Sequence, residues 1–325
     1  MQFCSFLNQN GCIKNFRYEV QIIFLFLFVF LSAFKLNAQE LNIFDLMFYE
    51  RNENKNIGFV SLSGIRPNGA GWFVIPNLTK KEEREIQNSG CIKLETKFRK
   101  YFFSNEKIPE TAKVFIYDYS KDVLKTFKVK DLNFIACLSA YVDREKRPYD
   151  INDFMIGFEI NKKFLPDFDM YFTNALVFIG KENPFIQGQL KRIVWQKNKS
   201  KYFPSNKVET KDVYFTESEY SKGDTYQYET DELRYFLQEL VKNNDVRAKR
   251  LLVMNSRTNS KVYEEVYSLG EGDSFASLDG QRTGKLFKNK PKVIFGFKHR
   301  SFGCESIEFL KSSEKGIQID CDNRH

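Results

Sequence analysis

KVFIYDYSKDVLKTFKVKDLNFIACLSAYV, residues 113–142, decides the fold class of this chain. Three runs rich in β-branched and aromatic residues, 113–119, 123–129 and 132–142, follow one another with turn residues such as Asp118-Tyr119-Ser120-Lys121-Asp122 between them. Short apolar runs of this make-up, bounded by turn chemistry, read as strands. The same signature recurs outward at 57–63, 70–75, 154–160, 170–179 and 190–196. Runs 57–63 and 70–75 flank Arg66-Pro67-Asn68-Gly69, and Asn-Gly is a strong tight-turn signal. Ile92, Leu94, Thr96 and Phe98 alternate with Lys93, Glu95, Lys97 and Arg99, a period of two that predicts a strand with one wet face. One short polar helix is predicted over 79–88, where Thr79-Lys80-Lys81-Glu82 fits a capping box and Gly90 a helix stop. The expected fold is mainly β, sandwich or open-barrel-like, with few helices.

Past residue 196 the pattern changes. Residues 197–229 are polar and broken by Pro204 and Gly223. Leu233, Phe236, Leu237, Leu240 and Val241 then fall at three-to-four spacing, which predicts a core-packing helix over 230–243 that ends at Asn243-Asn244-Asp245. Runs 251–254 and 262–267 read as strands paired around Arg257-Thr258-Asn259-Ser260, and 293–297 with a closing hairpin at 306–310 and 316–320 completes a small α+β C-terminal part. The expected organisation is a leader at 1–38, a β-rich domain at 39–200, a linker or long loop at 201–229 and an α+β region at 230–325. There is no internal repeat and no low-complexity tract.

Residues 22–34, IIFLFLFVFLSAF, follow Lys14 and Arg17 and precede Leu36-Asn37-Ala38-Gln39-Glu40. A basic start, an apolar run and a small-residue exit form the layout of a secretory signal peptide. The run is shorter than the roughly 20 apolar residues of a membrane span. Cleavage after Ala38 is expected, with an uncleaved N-terminal anchor as the alternative, and the exit resembles bacterial export signals. The expected location is periplasmic or secreted, with no membrane span in the mature chain. That chain carries 47 basic and 41 acidic residues, a net charge of +6, too small to argue for nucleic acid. Lys197-Asn198-Lys199-Ser200-Lys201 and Lys288-Asn289-Lys290-Pro291-Lys292 read as solvated loops.

Four cysteines lie in the mature chain: Cys91, Cys137, Cys304 and Cys321. Export permits disulfides. Cys304 and Cys321 flank the closing hairpin. Strand parity places them on opposite faces when Ile307 and Phe309 are matched with Ile319 and Ile317, so this bond needs a bulge or bend near Gly303. Cys91 and Cys137 then form the second pair or stay reduced. No spacing fits a zinc site, and no cofactor is expected.

Chemistry-bearing motifs are sparse. Gly272-Asp273-Ser274-Phe275 together with Asp322-Asn323-Arg324-His325 resembles two blocks of the serine–glycine–asparagine–histidine esterases, over about seven residues. The resemblance implies Ser274 as nucleophile, His325 as base and Asp322 as the orienting acid. His299 and His325, the only histidines, also suit the acid and base of a nuclease, with Lys298, Arg300 or Arg324 steadying phosphate. The bland reading sets His299 at a polar strand end and His325 in a fraying terminus. The carboxylate clusters at 118–122, 143–145, 150–153 and 167–169 read as turns and loop tips. Trp72 and Trp195 read as core residues, with sugar stacking as the alternative. An outer-membrane barrel is disfavoured by the polar ending and the expected helix. The function expected is non-catalytic: ligand binding, or an envelope or surface interaction with a cell-envelope protein or a glycan. An extracytoplasmic hydrolase using the C-terminal Ser, Asp and His residues is the alternative.

Overall fold

The structure, a computed structural model, describes residues 41–50, 56–63, 78–143, 145, 148–149, 151–168, 174–199, 202–205, 208, 210, 215–300 and 303–322. The leader, the turn at 66–69, the run at 70–75 with Trp72, and His325 lie outside the described residues. Asn42–His325 form one compact unit. The protein is mostly β, 45% strand against 14% helical, with several antiparallel sheets and no barrel closure.

In chain order the first elements are β1 (Ile43–Asp45), β2 (Met47–Glu50), β3 (Asn56–Ser61), α1 (Lys80–Ser89), β4 (Cys91–Lys93), α2 (Thr96–Asn105), β5 (Lys113–Asp118), β6 (Val123–Lys128), β7 (Asn133–Leu138), β8 (Phe154–Asn161) and β9 (Ala175–Gly180). They make two antiparallel sheets, ordered β1-β9-β5-β6 and β2-β3-β8-β7-β4. Alternate residues of both sheets meet in one core: Val114, Ile116 and Val177 from the first, with Phe134, Phe158 and Ile160 from the second. Gly157 lets β3 and β8 approach, since a methyl group there would overlap the Val60 carbonyl. The opposite face of β5 and β9 is buried too, by Phe115, Tyr117, Leu176 and Phe178. Burial on both faces is why these strands read as continuous apolar runs. From Tyr117 a file of rings, Phe185, Phe287 and Phe309, leads on to the C-terminal strands.

The α1 helix forms as its sequence predicts. Thr79 and Glu82 complete the capping box, and Gly90 closes the helix at φ 68°. The strand expected across 92–98 is corrected: pairing stops at Lys93, and Thr96 starts α2. Phe98, Phe102 and Phe103 share a helical face, and the latter two pack on Phe134 at 5.1 and 5.3 Å. The period-two alternation gives way at Thr96, where Phe98 with Phe102 falls at i,i+4 spacing and the helical period takes over.

The second set is β10 (Leu190–Arg192), β11 (Gln196–Lys197), β12 (Ser221–Glu229), β13 (Leu233–Lys242), β14 (Asp245–Asn255), β15 (Lys261–Ser268), β16 (Ser274–Phe275), β17 (Arg282–Gly284), β18 (Val293–Phe295), β19 (Lys298–His299), β20 (Ser306–Phe309) and β21 (Ile317–Gln318). They build the meander β11-β12-β13-β14-β15, the sheet β10-β17-β18-β20-β21 and the pair β16-β19. Leu233, Tyr235, Leu237, Leu251 and Val253 of the meander pack on Ile294, Phe297 and Leu310.

Two expectations fail here. The helix over 230–243 is strand β13, and part of the expected linker at 201–229 is strand β12. So the region from 230 is β without an α-helix among the described residues. Strand β13 is buried on both faces: Leu233, Tyr235 and Leu237 point one way, and Phe236, Gln238 and Leu240 the other. Apolar residues on both parities imitate a helical stripe. Asn243 and Asn244, at φ 55° and 66°, make the two-residue turn to β14 instead of ending a helix. The strands around Arg257-Thr258-Asn259-Ser260 form as expected, with Asn259 at φ 55°.

Both cysteine pairs lie at disulfide distance. Cys91 and Cys137 are directly opposed on β4 and β7, with Cα atoms 4.0 Å apart, and both are fully buried. Cys304 and Cys321 have Cα atoms 5.6 Å apart. The closing hairpin pairs Ile307 with Ile317, two residues from the expected match but with the same parity. The sulfurs meet beyond the end of the ladder, and Gly303 at φ 116° and Asp322 at φ 47° turn the chain away on either side of the pair. Asp320 also bridges β1: its N–H donates to Ile43 O and its carbonyl accepts from Asp45 N–H. These two hydrogen bonds hold the C-terminal segment against β1, and the cysteine pair ties Cys321, the next residue, back to Cys304.

Candidate functional site

The motif residues of the C-terminal part are only partly brought together. Ser274 on β16 stands opposite His299 on β19, and His299 Nδ1 lies 2.9 Å from Glu305 Oε1. Both Ser274 and His299 are exposed, and among the described residues no side-chain hydrogen bond joins them. Asp322 is engaged elsewhere, its Oδ2 accepting from the Ser61 hydroxyl, and His325 lies outside the described residues. The Gly-Asp-Ser block is a turn. Gly272 has φ 73°, Asp273 accepts from Gly270 N–H, and Lys298 Nζ sits 2.7 Å from the Asp273 carboxylate.

Other sequence candidates have structural partners. Asp118 accepts from the N–H groups of Ser120 and Lys121, Asp122 from the Tyr117 hydroxyl and Gly188 N–H, and Asp143 from Glu145 N–H. Asp167 pairs with Lys125 at 3.2 Å. Trp195 donates its Nε1–H to Gln281 Oε1 and packs against the core between the two C-terminal sheets. In the basic clusters Lys197 pairs with Asp224, Lys290 with Glu314 and Lys292 with Glu232. Among the described residues no group of three His, Cys, Asp or Glu side chains is placed to hold a metal ion.

At the seam between β1 and the closing hairpin, burial dominates the titration of two acids. It pushes Asp45 up to about 7, opposed by the Leu46 N–H and reinforced by the charge of Glu305. It also raises Asp320. Burial raises the nearby Tyr119 phenol as well, so that group stays neutral.

Among the described residues, a groove of about 370 Å³ with convergent polar groups lies at one end of the β11–β15 meander. That lies within the range of about 300–1,000 Å³ common for ligand sites. Its side chains share one sheet face by register. Gln196 pairs with Gln227, Gln227 with Phe236, and Glu229 with Arg234. Val194, 55% exposed, forms the rim, and Phe236 is almost covered. Tyr228 and Tyr235 complete the lining, while their rings, 5.5 Å apart, pack in the core. Tyr235 is fixed by a 3.0 Å hydrogen bond between its hydroxyl and that of Thr283.

Charge in this groove is left open. Among the described residues Glu229 and Arg234, though cross-strand partners, form no ion pair. Arg234 donates an Nη2–H to Asn259 Oδ1, but its Nε–H is buried with no acceptor among the described residues. A buried donor left unmade costs about 1–3 kcal/mol and calls for a partner. A second hollow of similar volume, at the end of α2, is walled by Lys100, Lys107 and Glu110, the last already held by Arg99.

The sequence reading passed over Glu229 and Arg234 because it assigned them to a linker and a helix. No family model, curated protein or solved structure matches the chain.

Proposed function

We propose that this is an exported, non-catalytic binding protein of the cell envelope, with its leader removed after Ala38 and its ligand site in the groove of the meander. The observation that carries the reading is the convergence of Gln196, Gln227, Glu229 and Arg234 on one sheet face, with a buried Arg234 Nε–H that lacks an acceptor among the described residues. Two disulfide-distance pairs, and no described helix long and apolar enough to cross a membrane, are compatible with life outside the cell. The test is a pull-down of solubilised envelope material by the mature protein and by Arg234→Met. Capture lost in the variant supports the reading, and undiminished capture removes the groove from it. Intact mass of protein recovered from its host, expected to begin at Gln39, checks the leader.

One observation favours the alternative of an extracytoplasmic hydrolase. Ser274 faces His299 across a ladder, and His299 contacts Glu305, the order of groups in a nucleophile–base–acid relay. An ester-hydrolysing activity abolished by both Ser274→Ala and His299→Ala would transfer the function to that ladder.

A further inference from the structure

We infer that the groove takes a neutral carbohydrate chain; this rests on the groove being the binding site. Glu229 and Arg234 sit side by side on β12 and β13, one an acceptor and one a donor, and neither neutralises the other. A ligand carrying a carboxylate would satisfy Arg234 but meet the charge of Glu229. A cationic ligand would meet the reverse. Vicinal hydroxyls of a neutral sugar donate to Glu229 and accept from Arg234 at once, because each hydroxyl is both donor and acceptor. Gln196 and Gln227, opposed on β11 and β12, extend the same two-way chemistry one row along the face.

Apolar surface separates this ligand from a peptide. The groove offers the rim of Val194, the nearly covered ring of Phe236 and the edges of Tyr228 and Tyr235, whose rings pack in the core, but no deep apolar pocket. Peptide grooves rest on pockets for side chains. Four long polar side chains over aromatic rings held mostly in the core give such side chains little to bury against, whereas they suit the hydroxyl-rich edge of a sugar with its CH face toward Phe236.

The experiment is calorimetric titration of the mature protein with neutral hexose oligosaccharides, with oligogalacturonate and with a mixed peptide library. Wild type, Arg234→Met, Glu229→Gln and Gln227→Met are compared, each checked for an unchanged unfolding midpoint. The expected result is binding of a neutral oligosaccharide, weakened about tenfold by Arg234→Met and by Glu229→Gln alike, since each removes a charged hydrogen-bonding partner. Preference for oligogalacturonate, with Glu229→Gln strengthening it, overturns the inference while leaving the groove as the site. Binding of peptides, lost in Arg234→Met, does the same. Envelope material captured equally by all four proteins, with no probe bound, sinks the inference and the groove reading together.

Discussion

On β7 and β8 the interior is filled by rings: Phe134 and Phe158 meet Phe102 and Phe103 at 5.1 to 5.6 Å, all of them buried. On β14, at an equally buried position, sits Arg250, with no exposed surface. Its Nε and Nη2 donate to Glu264 Oε1 at 2.9 and 2.6 Å, Nη1 donates to Ser205 O at 3.0 Å, and the guanidinium lies 4.6 Å from the Phe203 ring centroid. The same row of the meander buries Gln238 and Thr225, whose side-chain oxygens have no partner among the described residues. The two regions teach different things about burial. The ring-filled core draws its stability from area removed from water. The meander face spends stability on desolvated polar groups, and that same face opens at its end into the groove.

The largest expected effects break each side of this contrast. Phe134→Ala should cost about 3–5 kcal/mol by leaving a cavity. Arg250→Ala should cost a comparable 3–5 kcal/mol for a different reason, because it leaves the buried Glu264 carboxylate with only the longer contact to Lys261 among the partners described. The double change Arg250→Met with Glu264→Leu tells the two reasons apart. It should recover most of the loss in urea unfolding, whereas no second substitution beside Phe134→Ala restores the missing ring volume without refilling it. A mild loss for Arg250→Ala alone would make the ion pair incidental and erase the distinction.

The disulfides come next. A chain-entropy account gives about 4 kcal/mol for the 46-residue separation of Cys91 and Cys137 and about 3 kcal/mol for the 17 residues between Cys304 and Cys321. Accessibility reverses that order. The first pair is fully buried within the apolar sheets, while the second is partly exposed at the seam. Mild reduction of the folded protein followed by alkylation and mass analysis should therefore label Cys304 and Cys321 first. Early labelling of Cys91 would mean that the apolar half opens before the polar one.

How much of this was legible in the sequence depends on the same contrast. Strands 113–118 and 133–138 announced themselves because β-branched and aromatic residues on both parities leave helix and strand equally filled, and turn residues close at hand settle the length. Strand β13 did not, because Arg234, Gln238 and Glu239 are good helix formers set among leucines that happen to fall at helical spacing. The readable sign was Asn243-Asn244, a pair that tolerates positive φ and so marks a hairpin. Taken as a turn, it would have converted its flanks to strands and set Arg234 near the residues before Thr230. The cysteines were legible as pairs, though Cys304 and Cys321 meet beyond the end of the ladder, where strand parity no longer applies. The groove was out of reach, because it needs the registers of three strands, one of them only two residues long. The facing of Ser274 and His299 needed a register too.

The seam supplies a pH test of which region governs cohesion. Asp45 keeps its proton in the folded chain up to about pH 7, while its ordinary value is 3.8. Below about pH 4 both states are protonated and the group costs nothing. Between these values the unfolded chain ionises first, so stability falls as pH rises and the cost is complete above pH 7. Asp45→Asn should flatten this slope and raise the midpoint at pH 8 relative to wild type, read by thermal unfolding across pH 4 to 8. A slope of the opposite sign would mean that a carboxylate elsewhere dominates.

The smallest effect sharpens the comparison within the ring-filled region, between its two helices. Helix α1 begins on a complete capping box, in which Thr79 N–H donates to Glu82 at 2.8 Å and the Thr79 hydroxyl accepts from Glu82 N–H. Helix α2 begins on Glu95, whose side chain caps nothing, and it is held instead by Phe102 and Phe103 in the core. Thr79→Ala should therefore cost about 1 kcal/mol. It should also move Glu82 part of the way back toward its ordinary pKa, since the backbone N–H at position 79, the larger cause of the depression, survives the substitution and only the hydroxyl bond is lost. A depressed carboxylate lends stability that disappears as pH falls through its folded value, so the loss in Thr79→Ala should be larger at pH 7 than at pH 3. Glu95→Ala should leave the midpoint nearly unmoved, because only an exposed contact with Lys97 is lost. If the two substitutions cost the same, packing rather than capping sets both helix starts, and the capping box of α1 contributes shape without measurable energy.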